Sequence, residues 1–235
     1  MTLVKICGIS DPESARVAAT CGADFIGMVF APSRRQITVG QAKAISGSVS
    51  VSTGGNPLMS GSISFLEMLL EKRRPLIVGV FADQDIEAIN SIADECNLDL
   101  IQISGSENWE VCKQINRPVL KCVKIREEEK SGDIIDSVKA DAIPLLDSYV
   151  AGAYGGTGQS IDWEVAAQIS RQIPIVLAGG LNPANVFEAI NVVHPWAVDV
   201  SSGVETSGVK DPIKIEAFLK ESKQVIMSDK RSYNS

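Results

Sequence analysis

Two side chains in this sequence make a candidate acid/base pair for work near neutral pH. One is the thiol of Cys7, which ends the apolar run Leu3-Val4-Lys5-Ile6-Cys7-Gly8-Ile9. The other is the carboxyl group of Asp147, which ends Ala142-Ile143-Pro144-Leu145-Leu146-Asp147. A thiol with an ordinary pKa of about 8.5 is a competent base near neutrality only where its surroundings favour the thiolate. Lys5, two residues before Cys7 and so on the same strand face, is the candidate for that task. Asp147 needs the opposite treatment, a pKa raised by burial, to hold a proton as the partner acid. Two titrating groups in unlike surroundings would then divide the roles of base and acid.

Around that pair the chain supplies groups for anions. Ala178-Gly179-Gly180 and Ser201-Ser202-Gly203 are small-residue turns that lead toward helices, where backbone N–H groups can cradle a phosphate. The loop Gly155-Gly156-Thr157-Gly158 offers further N–H groups, from Gly156 and Gly158 in particular. Ala31-Pro32-Ser33-Arg34-Arg35-Gln36-Ile37-Thr38 is a short basic loop whose arginines could grip a carboxylate or phosphate with a planar fork. In Leu98 to Ser104, alternation puts Gln102 and Ser104 on one face.

These residues come from distant parts of the sequence, and the intervening pattern says how they could meet. Near-continuous apolar runs, read as strands buried on both faces, begin near Leu3, Asp24, Leu76, Leu98, Pro118, Ala142, Ile173 and Trp196. Helical patterns separate them, with start signals at Ser10-Asp11-Pro12-Glu13, Asp83, Asp162-Trp163 and Asn182-Pro183. Helices are also expected from about 107 to 115 and 126 to 139, and a last one from Asp211 to about Ile226. Eight strands alternating with helices are the sequence form of a single-domain (β/α)₈ TIM barrel, an α/β fold. Its chemistry sits at the carboxyl ends of the strands, where Cys7 and Asp147 fall. Residues 1–226 are assigned to the barrel and 227–235 to a polar tail. A Ser/Gly-rich stretch at about 46–64 reads as an inserted surface loop.

Composition removes several classes of function. With 45% hydrophobic and 22% charged residues, the 235-residue chain can build one large core. Its net charge of −7 argues against a general nucleic-acid or anionic-membrane surface. Cysteines at 7, 21, 96, 112 and 122 are odd in number and lack metal-ligand spacing, so a reducing, cytoplasmic setting without structural zinc is expected. No apolar run approaches the roughly 20 residues that span a bilayer.

Taken together, Val4-Lys5-Ile6-Cys7-Gly8-Ile9, the run from Gly22 to Arg35, Leu146-Asp147-Ser148 with Gly155-Gly156-Thr157-Gly158, Leu177-Ala178-Gly179-Gly180-Leu181-Asn182-Pro183 and Ala197 to Glu205 resemble the phosphoribosylanthranilate isomerase family. The resemblance covers nearly the whole chain outside the insertion and tail. It implies an enzyme of tryptophan biosynthesis that performs an Amadori rearrangement on a small phosphorylated substrate. No metal and no organic cofactor would be required. By position, Asp147 would protonate the furanose oxygen, Cys7 would take the proton from C2′, and Arg35 would hold the anthranilate carboxylate. Gly156, Gly158, Gly179, Gly180, Ser201, Ser202 and Gly203 would hold the phosphate. Strand four departs from the pattern: the family usually ends it Gln-Leu-His-Gly, and this chain reads Gln102-Ile103-Ser104-Gly105. The sole histidine, His194, lies in no motif.

A related barrel isomerase acting on an aminoimidazole ribonucleotide of histidine biosynthesis would use paired aspartates, and Cys7 stands where the first would be. A weakly active barrel retained for binding is the other alternative, and intact Cys7, Arg35 and Asp147 argue against it. Monomer and homodimer both remain compatible with the residues.

Overall fold

Short runs of β-branched and aliphatic residues pair in register because each can bury both faces, one toward a barrel axis and one toward a layer of helices. The computed structural model describes residues 2–49, 63–72, 75–126, 129–139, 142–148 and 162–232. Its strands are β1 (Leu3–Cys7), β2 (Phe25–Val29), β3 (Leu76–Phe81), β4 (Leu100–Ile103), β5 (Val119–Ile125), β6 (Ile143–Ser148), β7 (Val176–Leu177) and β8 (Ala197–Val200). They form one closed barrel in chain order, all pairs parallel. β1 and β8 complete the circle, with Lys5 opposite Asp199 and Ile6 opposite Val200.

The helices are α1 (Pro12–Thr20), α2 (Val39–Val49), α3 (Ile63–Lys72), α4 (Ile86–Glu95), α5 (Ser131–Ser137), α6 (Trp163–Ser170), α7 (Val186–Val193) and α8 (Pro212–Ser232). Four start where an aspartate accepts the otherwise orphaned N–H groups of a first turn: Asp11 for α1, Asp85 for α4, Asp162 for α6 and Asp211 for α8. Asp83 was expected to cap α4, but it adopts a left-handed backbone (φ 54°) and accepts from Ser106 N and Oγ.

Two large hydrophobic clusters follow from this alternation, besides a small one of Cys7, Val29, Ala31, Val80 and Ala82 at the carboxyl mouth. The larger joins strand residues such as Ile26, Ile77, Ile101 and Val198 to Ala15, Ile45, Ile89, Ile169, Ile190 and Phe218 of the helices. The other gathers Leu3, Phe25, Leu76, Leu100, Leu120, Ile143, Val176 and Ala197 inside the barrel, with Leu66 and Leu70 of α3. These strand residues stand at or near the amino ends, so α3 closes the end opposite Cys7. Trp196 Nε1 donates to Glu67 Oε1 (3.3 Å), which helps fix α3 there.

Several boundaries differ from expectation. The segment expected as a helix from 107 to 115 is a 3₁₀ turn, Trp109–Gln114. Asn108 supplies no side-chain cap, and Pro118 ends the crossover a few residues on. Of the expected 126–139 helix only Ser131–Ser137 is helical among the described residues. Residues 46–49 lie within α2 and 63–64 within α3; the remainder of the expected insertion lies outside the described residues. The final helix continues to Ser232, beyond its expected end near Ile226. An unforeseen hairpin, β9 (Glu205–Thr206) and β10 (Val209–Lys210), follows β8. Its turn, Ser207 (φ 52°) and Gly208 (φ 84°), is left-handed at both positions, the geometry that suits the strand twist of a two-residue hairpin.

Candidate active site

Side chains that end parallel strands on the axial face must converge at the carboxyl mouth, and here they line one cavity of about 860 Å³ counted to its open rim. Cys7 from β1 and Asp147 from β6 both line it, as do Gln102 and Ser104 from β4. Arg35 reaches it from the loop after β2. Gly179 and Gly180 after β7, and Ser201 and Ser202 after β8, complete the lining between β6 and β1.

One described residue expected there is not among those that line the cavity. Gly203 is absent from the lining, and a Cβ on it would collide with the Leu181 carbonyl oxygen; glycine stands here so that the turns after β7 and β8 can touch. Gly156 and Gly158 lie outside the described residues. His194 ends α7 in a left-handed conformation (φ 50°), away from the cavity.

Cys7 is buried, and burial pushes its thiol above the ordinary value; the Lys5 ammonium pulls the other way and Asp199 adds to the rise. The sulfur and that ammonium share one gap, since a Cβ on Gly27 would fall 2.9 Å from Sγ and 3.1 Å from Nζ. Lys5 was expected to favour the thiolate, but its Nζ also lies 2.9 Å from Asp199 Oδ1, so its charge is divided. Burial opposes that charge, yet Asp199 and Cys7 together raise the Lys5 pKa above the ordinary lysine value. Asp199, which lines the cavity, had been given no role from sequence.

The Asp147 pKa is shifted in the direction expected of an acid, upward. Burial pushes its carboxyl up to about 6, against the Ser148 N–H that donates to Oδ1 at 2.9 Å. Asp199 adds to the rise, while Lys124 and Lys5 oppose it. Gln102 Nε2 donates to Ser104 Oγ at 2.9 Å, and Gln102 Oε1 is buried without a hydrogen-bond partner among the described residues. An unpaired buried acceptor at a cavity wall is a site where a bound donor gains free energy.

The two glycine positions after β7 are both left-handed, Gly179 at φ 80° and Gly180 at φ 67°, a backbone that disfavours any side chain. Asn185 Nδ2 and Asn182 Nδ2 donate to Gly180 O at 3.1 and 3.3 Å and pin the turn. Among the described residues nothing accepts from the N–H of Gly179 or Gly180. Such a pair of unengaged donors suits an anion.

Arg35 is gripped by Glu205, Nε to Oε1 at 2.6 Å and Nη2 to Oε2 at 3.1 Å. Glu205 also accepts from Arg34 Nη2 at 2.7 Å and Lys210 Nζ at 2.9 Å. Burial works against the Glu205 charge, but hydrogen bonds from Arg35 and Lys210 overcome it and lower its pKa to about 2. Glu205 and Lys210 carried no assignment from sequence, although Ser207-Gly208 between short apolar and charged residues is the kind of dipeptide that signals a hairpin. Among the described residues no cluster of His, Cys, Asp or Glu could hold a metal ion.

The fold and this mouth define a (β/α)₈-barrel enzyme with titratable groups and small-residue turns at one end of a closed parallel sheet. Comparison with known proteins narrows the class. The model of the family described as N-(5′-phosphoribosyl)anthranilate (PRA) isomerase matches residues 60–221. The N-(5′-phosphoribosyl)anthranilate isomerase of Dehalococcoides mccartyi is 39% identical over 226 residues, covering 93% of this chain and 94% of the relative. The crystal structure of monomers of the dimeric isomerase from Thermotoga maritima superposes with a TM-score of 0.74 at 33% identity, covering 95% of this chain and 100% of that one. A phosphoribosyl anthranilate isomerase in complex with reduced 1-(o-carboxyphenylamino)-1-deoxyribulose 5-phosphate gives 0.75 at 33% identity, with the same coverage. The chain belongs to the phosphoribosylanthranilate isomerase family.

Proposed function

We propose that this protein converts N-(5-phosphoribosyl)anthranilate to 1-(2-carboxyphenylamino)-1-deoxyribulose 5-phosphate, the Amadori step of tryptophan biosynthesis. The observation that carries the reading is that Cys7 and Asp147 line one cavity together with the Gly179-Gly180 and Ser201-Ser202 turns. Asp147, protonated, gives its proton to the furanose ring oxygen. The C1′–O bond breaks and the anilino lone pair forms an iminium. That electron sink makes the C2′ hydrogen acidic, and the Cys7 thiolate removes it to leave an enolamine. Tautomerisation of the enolamine gives the ketone. Electrons stay within the substrate throughout, so the rearrangement requires neither metal nor organic cofactor.

Binding at both ends positions C2′ near the sulfur. Arg35 takes the anthranilate carboxylate, and Gly179, Gly180, Ser201 and Ser202 take the phosphate, with Gly156 and Gly158 as further donors. Gln102 and Ser104 contact the middle of the substrate, the serine in place of the family histidine. The partner is therefore a small phosphorylated molecule, with neither nucleic acid nor membrane engaged. The enzyme works in the cytoplasm as a monomer or homodimer. Five free cysteines fit a reducing compartment, and no helix among the described residues is long and apolar enough to cross a membrane.

An assay on phosphoribosylanthranilate with chelator present tests the assignment directly. Cys7→Ser and Asp147→Asn should each lower kcat at least about a hundredfold, the low end for general acid/base catalysis. Arg35→Met should chiefly raise KM. Wild-type rates in the first two variants would remove both assignments.

A further inference from the structure

Glu205 does not line the cavity, yet it reaches two residues that do, Arg35 directly and Ser201 through Lys210. On one side it engages the Nε and Nη2 edge of Arg35, with distances of 2.6 and 3.1 Å. On the other it accepts from Lys210 Nζ at 2.9 Å, and the same ammonium donates to Ser201 O at 2.8 Å and approaches Ser201 Oγ at 3.4 Å. The Glu205 and Lys210 side chains are 5% and 2% exposed, so water does not substitute for these contacts. Lys214 Nζ donates to Glu205 O at 2.7 Å, which ties the hairpin to α8. Arg34, by contrast, meets Glu205 from the solvent side, with 57% of its side chain exposed.

We propose that Glu205 is a positioning residue that acts on both anion-binding ends at once: it aims Arg35 at the carboxylate and, through Lys210, fixes the Ser201 turn for the phosphate. The inference rests on the reading of those two ends given above. A long arginine and a long lysine each have many rotamers, and holding them before substrate arrives removes an ordering cost from binding. The sign of the effect separates this role from simple charge. Glu205 contributes a negative charge close to two anion sites, so as a charge alone it would weaken anion binding, and its removal would tighten it. As a positioning residue its removal weakens binding at both ends.

The test is calorimetric titration of the folded protein with two probes, inorganic phosphate and anthranilate, for wild type and Glu205→Gln. Both dissociation constants should rise at least fivefold in the variant. Arg35→Met should weaken anthranilate alone, and Lys210→Met should weaken inorganic phosphate alone. With the authentic substrate, Glu205→Gln should raise KM with less than a threefold change in kcat. Tighter binding of either probe by Glu205→Gln, or a lowered Tm with both constants unchanged, overturns the proposal. If Glu205→Gln fails to fold, Lys210→Met still decides: unchanged phosphate affinity refutes the link to Ser201. Because the probes are read without turnover, an inactive wild type would sink the assigned reaction while the probe titrations still judge Glu205.

Discussion

Lys5 and Asp199 face each other across the seam between β1 and β8, with Nζ 2.9 Å from Oδ1 and both side chains buried. Neither charge can be removed without stranding the other in a poorly solvated place. Lys5→Met should therefore destabilise the fold by about 3 kcal/mol or more, the usual result of breaking a buried pair, and denaturant unfolding would measure it. The same change should move the pH midpoint of Cys7 alkylation upward, because Lys5 lowers the thiol pKa. Asp199→Asn should move it downward. Equal midpoints in all three proteins would mean that the pair does not govern the sulfur.

The two proposed catalytic groups titrate in an order opposite to the obvious one. The acid, Asp147, has a pKa of about 6, while the thiol of the base, Cys7, stands above the ordinary thiol value. The working form, protonated Asp147 with ionised Cys7, is thus a minor species. Below pH 6 the acid is already protonated and each rise in pH increases the thiolate, so kcat/KM should climb. Above 6 the growing thiolate is offset by loss of the acid, and the profile should flatten until the thiol itself titrates, then fall. A single optimum at pH 6 with a decline immediately above it would contradict this ordering.

Asp147 also makes a statement about stability. Its folded pKa, about 6, lies above the ordinary 3.8, so between those values the folded protein holds a proton that the unfolded chain has released. Stability should fall as pH rises from about 4 to 6 and then level. Asp147→Asn removes the charge, and at pH 7.5 it should gain up to about 3 kcal/mol while losing activity. Urea midpoints at pH 4 and 7.5 check both signs, and an equally large gain at pH 4 would point to another cause.

Gly203→Ala should destabilise by about 3 kcal/mol or more, since the added methyl meets backbone, which cannot swing aside as a side chain can. Its Cβ would lie 2.9 Å from Leu181 C and 3.0 Å from Asn182 Cα as well as against the Leu181 oxygen. A soluble variant with an unchanged Tm would show that the two turns are not in firm contact.

Much of this was legible in the chain. The strand runs, read from continuous apolar residues, form the closed eight-stranded barrel, because residues buried on both faces leave little freedom in pairing. Cys7, Asp147, Arg35, Gln102 and Ser104 meet in one cavity because each ends, or just follows, a strand. What was not legible depends on partners distant in sequence. Lys5 was read against Cys7, two residues away, but Asp199 lies 194 residues on, and nothing local announces it. Glu205 and Lys210 matter through Arg35 and Ser201, contacts that exist only once β2 and β8 flank β1. Gly203 was read for its backbone N–H alone, and its tight approach to Leu181, 22 residues earlier, has no local signal.

The strand that carries Cys7 is hydrogen-bonded to its sequence neighbour on one flank and to β8 on the other. During synthesis, then, Lys5 and Cys7 are in place long before Asp199, which lies 194 residues beyond Lys5. Only the arrival of Asp199 gives the Lys5 ammonium its counter-charge, so a nascent polypeptide halted before that point possesses the nucleophilic sulfur without the surroundings that govern it.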